Sequence, residues 1–94
     1  MDFLSAARDG RGVDPKSPDH LAFGRAIREL RDERGISQEE LSHRSGLDRS
    51  YMGGVERGER NISLENICLI AKALDVPPAE LFQGWESRRV GRSR

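Results

Sequence analysis

Gly46 stands between two short segments that each carry their own start signal, and a chain with that pattern has few folds open to it. Ser37 leads into Gln38-Glu39-Glu40-Leu41. Glu40, three residues after the serine, completes an S-x-x-E box in which each side chain is expected to satisfy an orphan backbone N–H of the other residue. Leu41 is the main apolar anchor of this first segment. Gly46 supplies the positive φ that a tight corner between two helices requires. Leu47 then turns inward, and Asp48 caps a second segment whose apolar residues, Met52 and Val55, share one face. That spacing leaves Arg49, Ser50, Tyr51, Gly53 and Gly54 largely on the outer surface. Helices this short bury no core by themselves, so the rest of the chain is expected to support them.

The support is legible on both sides. Ser17-Pro18 is a strong start signal, serine as N-cap and proline at the first helical position. The helix it opens should run to Arg34 and stop at Gly35, with Phe23, Ile27 and Leu30 as one core-facing stripe. Arg25, Arg28, Arg31 and Arg34 alternate with acids and read mostly as a solvated face. Downstream, residues 58–61 form a loop and Ser63 caps a helix from Leu64 to Leu74. Leu64, Ile67, Ala71 and Leu74 fall at core spacing there, with Ile70 beside them. Asp75-Val76-Pro77-Pro78 interrupts it, and Pro78 to Phe82 makes a last short helix that closes the core with Leu81 and Phe82. Gly84 ends that helix. No strand signal survives. The expected fold is all-α: a compact five-helix domain over residues 17–84 with flexible ends.

Residues 1–16 read as a mobile arm, or as a short helix around Phe3, Leu4, Ala6 and Ala7 that packs somewhere. Residues 85–94 form a short tail carrying Arg88, Arg89, Arg92 and Arg94, either a solvated end or an arm for phosphate or a minor groove. No apolar run reaches the length of a membrane span, and the N-terminus lacks the basic region and apolar stretch of a signal peptide. A single cysteine, Cys68, allows no internal disulfide, and the chain reads as cytoplasmic. His20, His43 and Cys68 are too few and too scattered for a zinc site. No glycine-rich phosphate loop or nucleophile–base arrangement stands out. The expectation is therefore no metal, no cofactor and no enzyme activity.

Taken together, the run RAIRELRDERGISQEELSHRSGLDRSYMGGVERGERNISLENICLIAKALDVPPAELF resembles the Cro/CI-type (XRE-family) helix-turn-helix domain. The LDR-S-Y and ERGxRNxSLEN segments are similar to those of the small controller proteins of restriction–modification systems. The resemblance implies a five-helix fold, binding to double-stranded DNA operators, a homodimer, and RNA polymerase as a candidate further partner. It makes Gln38–Gly46 the positioning helix and Arg49–Arg57 the recognition helix. It pairs Arg31 with Glu56 inside the fold, a linkage that sets geometry more than net stability. By the same resemblance Gln38 contacts a phosphate and steadies the recognition helix, Arg49 and Ser50 read bases, and Tyr51 touches the backbone or a nearby base; the alternative for Tyr51 is a ring packed on the core edge. Arg60 and Asn61 match phosphate-binding positions.

Two positions depart from the family pattern. Gly53 and Gly54 stand where serine and a frequently base-reading residue are usual, and two glycines in an exposed helix cost about 1.5–2 kcal/mol relative to alanines. Either the bare backbone allows closer approach to the groove, or the positions have drifted. Gly54 reads no base through a side chain, which shifts readout toward Arg49. Ser42 replaces the usual alanine at the contact between the two helices, and a bond to a backbone carbonyl would satisfy it.

The residue types suit this reading. A major groove admits one helix whose N-terminal residues meet base edges, and an arginine there forks onto guanine. Net charge is zero over the whole chain, so non-specific affinity should be modest and dimerisation necessary. Locally, Arg49, Arg57 and Arg60 cluster on the presumed DNA face. Cys68 and Leu69 lie where polar residues are usual, beside Val76 and Phe82, and this widened apolar face is the expected dimer interface. A second reading stays open: an antitoxin-like or adaptor protein that uses the same fold mainly to hold a protein partner.

Overall fold

The computed structural model describes residues 17–90, with side chains through Ser87. Ser17 accepts the backbone N–H of His20 at 3.2 Å and opens α1, Pro18–Arg34. α2 is Gln38–Ser45, α3 Arg49–Glu56 and α4 Leu64–Leu74. A 3-10 turn follows at Pro78–Phe82, then α5 at Trp85–Val90. Among the described residues there is no strand. The described residues form an all-α fold with five α-helices.

α1 runs along the molecule and packs against α3, the 3-10 turn and α5, while α2 packs between α3 and α4. The core they enclose holds Phe23, Ile27, Leu30, Ile36, Leu41, Met52, Val55, Ile70, Ala71, Leu74 and Leu81. Its largest members contribute about 1.5–3 kcal/mol each by leaving water. Gly24 governs how closely α1 and α3 cross. A Cβ on it would stand 2.3 Å from the carbonyl oxygen of Glu56 and 2.7 Å from that of Val55. No side chain fits there.

Several expectations need correction. Leu64 is not a core residue: it is 75% exposed, because the Ser63 cap sets it on the solvent side of the first turn. The buried stripe of α4 is Ile70, Ala71 and Leu74, with Ile67 half-buried. The box at Ser37 is only half made. Ser37 Oγ accepts from the Glu40 N–H at 3.0 Å, but the Glu40 carboxylate takes Arg44, one turn on, at 2.8 Å. Ser42 is buried in the α2–α3 contact, and its hydroxyl has no hydrogen-bond partner among the described residues. The segment Pro78–Phe82 is 3-10 rather than α, closing its turn with Glu80 N to Pro77 O. Leu81 fills the core as expected, but Phe82 stays 41% exposed and sits between the rings of Phe23 and Trp85 at 5.6 and 5.2 Å. Gly84, with φ 68°, turns the chain into α5, which lies against α1. The proposed arm at 1–16 and the last four residues of the tail lie outside the described residues.

Candidate nucleic-acid interface

The corner between α2 and α3 is built as the spacing implies. Gly46 has φ 77°, and its N–H closes α2 on Ser42 O at 2.9 Å. The Asp48 carboxylate then accepts the N–H groups of Ser50 and Tyr51 at 3.0 and 3.2 Å. This leaves Arg49 and Ser50 exposed on the first turn of α3, with Met52 and Val55 buried behind them.

The other end of α3 is held by Glu56, whose side chain is 3% exposed. Arg31 Nε donates to Glu56 Oε2 at 2.7 Å and Nη2 to Oε1 at 3.0 Å, a bidentate pair. Arg31 Nη1 also donates to the Ile36 carbonyl at 3.0 Å. Gln38 Nε2 gives Glu56 Oε1 a further bond at 2.9 Å. The hydrogen bond to Glu56 raises the Arg31 pKa, against the opposing effect of burial, so the cation persists at any ordinary pH. One carboxylate thus joins α1, the start of α2 and the end of α3. Gln38, matched above to a phosphate contact and to steadying the recognition helix, makes the bond that the second role requires.

Tyr51 sits half-buried at the rim of the core, and Asn66 Nδ2 donates to its hydroxyl oxygen at 3.1 Å. The Arg60 guanidinium carbon lies 5.6 Å from the Tyr51 ring centroid. Gly53 and Gly54, expected on the outer surface, are buried. Arginine side chains, with Gln38, lie over them. A Cβ on Gly53 would meet Arg57 Nη1 at 3.1 Å and Gln38 Oε1 at 3.6 Å, and one on Gly54 would meet Arg60 Cγ and Nε at 3.1 Å. Arg57 also pairs with Glu59 at 3.2 Å. Arg49, Ser50, Arg57, Arg60 and Asn61 are all exposed and belong to α3 or the loop that follows it.

The residues assigned to a dimer surface fall elsewhere. Cys68 and Leu69 are exposed on α4, Leu69 at 37%, and Val76 is half-buried beyond the end of that helix. Phe82 shares its ring with Phe23 and Trp85. Two residues that matter to the site carried little signal in the sequence. Gly24 is marked only by being a glycine inside a regular helix, and Asn66 by nothing, since its partner Tyr51 lies on another element.

Residues 27–81 match the helix-turn-helix family. The chain is 45% identical to the control protein C.BamHI of Bacillus amyloliquefaciens over 63 residues, 66% of this chain and 78% of that one. It is 44% identical to the control protein C.SmaI of Serratia marcescens over 65 residues, 67% and 77% of the two chains. Among solved structures, the restriction–modification controller protein C.AhdI from Aeromonas hydrophila superposes with a TM-score of 0.67 at 61% identity, covering 68% of this chain and 97% of that one. The controller protein C.Esp1396I, solved as a tetramer with its natural 35 base-pair operator, gives 0.68 at 32% identity, covering 76% and 93%. With the capped corner, the all-α core and a match over more than half its length, the chain belongs to the Cro/CI-type (XRE) helix-turn-helix family.

Proposed function

We propose that this protein is a transcriptional regulator that binds a DNA operator as a homodimer, each protomer laying α3 in a major groove. The observation that carries the reading is the exposed first turn of α3, Arg49 and Ser50, on a helix anchored at its far end by the buried Glu56. A reading helix needs both a free edge and a fixed orientation. Arg49 is assigned to a base edge, Ser50 and Tyr51 to neighbouring contacts, and Arg57, Arg60 and Asn61 to phosphates. The control proteins it resembles, and the operator complex of C.Esp1396I, support operator binding. The protein works in the cytoplasm and by binding rather than catalysis, and contact with RNA polymerase is a further part of the same reading. No described helix is long and apolar enough to cross a membrane.

The test is a titration of purified protein against a duplex carrying its own upstream region and a scrambled duplex of equal length. Selective retardation of the first is expected, and equal affinity for both would sink the reading. The dimer is assigned to the face around Cys68, Leu69, Val76 and Phe82, which would set two α3 helices about 34 Å apart, one turn of DNA. Leu69→Glu should sediment as a monomer with its helix content intact. A variant that stays dimeric moves the interface elsewhere.

A further inference from the structure

Tyr51 and Gly54 lie one turn apart on the same face of α3, and a single side chain from the next loop lies over both. Arg60 Cγ and Nε come within 3.1 Å, and Cδ within 3.6 Å, of where a Cβ on Gly54 would stand. Ordinary contacts of a Cβ begin near 3.4 Å, so a side chain at 54 would require the stem of Arg60 to give by a few tenths of an ångström. Beyond the stem, the guanidinium reaches the Tyr51 ring. A long side chain on a loop normally samples many rotamers, and confining it before binding lowers the entropy lost when the contact forms.

We propose that Gly54 is a positioning residue for Arg60. Its bare backbone and the Tyr51 ring form a slot that holds the arginine oriented on the DNA-facing side of α3. A cation supplied by the loop thereby becomes part of the recognition-helix surface, in the place where residue 54 offers no side chain. The inference rests on the DNA-binding reading above. It also gives the glycine a role distinct from close approach to the groove, because a methyl group there would displace Arg60 and act through it and not on DNA.

The test is a double-mutant cycle of Gly54→Ala, Arg60→Ala and both together. Each is titrated against the upstream-region duplex and its scrambled partner over a range of salt, with thermal melts on the same preparations. Gly54→Ala should melt at or above the parent, because alanine is the better helix former. It should nevertheless bind both duplexes about threefold more weakly, with a shallower salt dependence, in the direction of Arg60→Ala. In the Arg60→Ala background the same substitution should change neither quantity. An equal loss in both backgrounds means the methyl meets DNA directly, and unchanged affinity in the parent background means Arg60 needs no slot; either result overturns the proposal. Proton NMR without DNA supplies an independent arm. The Arg60 side-chain protons should carry a ring-current shift from Tyr51 that Gly54→Ala reduces, and an unaltered shift also overturns it. Parent protein that fails to select the upstream duplex sinks the DNA-binding reading instead, while the NMR arm still reports on the slot.

Discussion

At its C-terminal end α3 is tied into the molecule by Glu56, whose carboxylate takes two hydrogen bonds from Arg31 and one from Gln38. At its N-terminal end the same helix carries no ion pair among the described residues: the Asp48 cap, the buried Met52 and the Asn66–Tyr51 hydrogen bond hold it, while Arg49 and Ser50 face solvent. The contrast separates two tasks along a helix of 8 residues. Orientation is stored where the helix is buried and charge-paired. Chemistry is displayed where side chains have no role in packing. Changes at the exposed end should therefore alter which DNA is bound, and changes at the buried end should alter whether the domain holds its shape.

The strongest way to break that contrast is at the buried end. Glu56→Ala leaves the Arg31 cation facing a site built for a pair, a loss of about 3 kcal/mol, the low end for a buried pair because Arg31 keeps some solvent contact. Urea denaturation checks it. DNA binding should fall with stability, on any sequence alike. A stable Glu56→Ala that still discriminates would show the anchor to be dispensable. Gly24→Ala attacks the same end through backbone contact: with 2.3 Å available, α1 and α3 must separate, at a cost of about 2 kcal/mol. An unchanged urea midpoint would mean that the crossing relaxes freely.

The exposed end should behave the opposite way. Arg49→Ala should leave the melting temperature alone. Its effect belongs in discrimination, about 1–3 kcal/mol at one base pair per half-site if the arginine forks onto guanine, toward the lower end if it makes one bond. Binding to the upstream duplex and to single-base variants measures this. A preserved ratio would move readout to Ser50, Tyr51 or DNA shape. The smallest effect sharpens the comparison from outside α3, on the helix that precedes it. Ser42→Ala removes the hydroxyl without a partner and should stabilise the domain by about 1 kcal/mol with no change in DNA selectivity. A destabilised Ser42→Ala would mean that the hydroxyl is satisfied in solution.

Local chemistry made most of the fold legible in advance. The Ser17, Ser37, Asp48 and Ser63 caps each hold a backbone N–H within their own first turn, and Gly35 and Gly46 close helices in the left-handed region. Such interactions span three or four residues, so a linear reading can find them. The core stripe of α1 was equally plain, because Phe23, Ile27 and Leu30 repeat with the helix. Periodicity failed at Leu64, where an apolar residue fits the stripe by spacing but lies in the first turn, beyond the reach of the neighbouring helices. It also failed after Gly84: α5 has too few residues to announce itself, and it exists by packing on α1.

The candidate site divides the same way. Sequence alone determined the capped corner, the order of the helices and the exposure of Arg49 and Ser50, since each depends on neighbours within about one turn. The Arg31–Glu56 pair was available from resemblance, though not from spacing. Tertiary structure alone decided that Gly53 and Gly54 are covered and not bare, because their cover comes from Arg57, Gln38 and Arg60, and long side chains choose where to lie only once the backbone is in place. It likewise decided the need for Gly24, the bond from Asn66 to Tyr51 and the orphan hydroxyl of Ser42. Each is a meeting between elements whose crossing is set by the whole packed core, and no local pattern in the chain encodes a crossing distance.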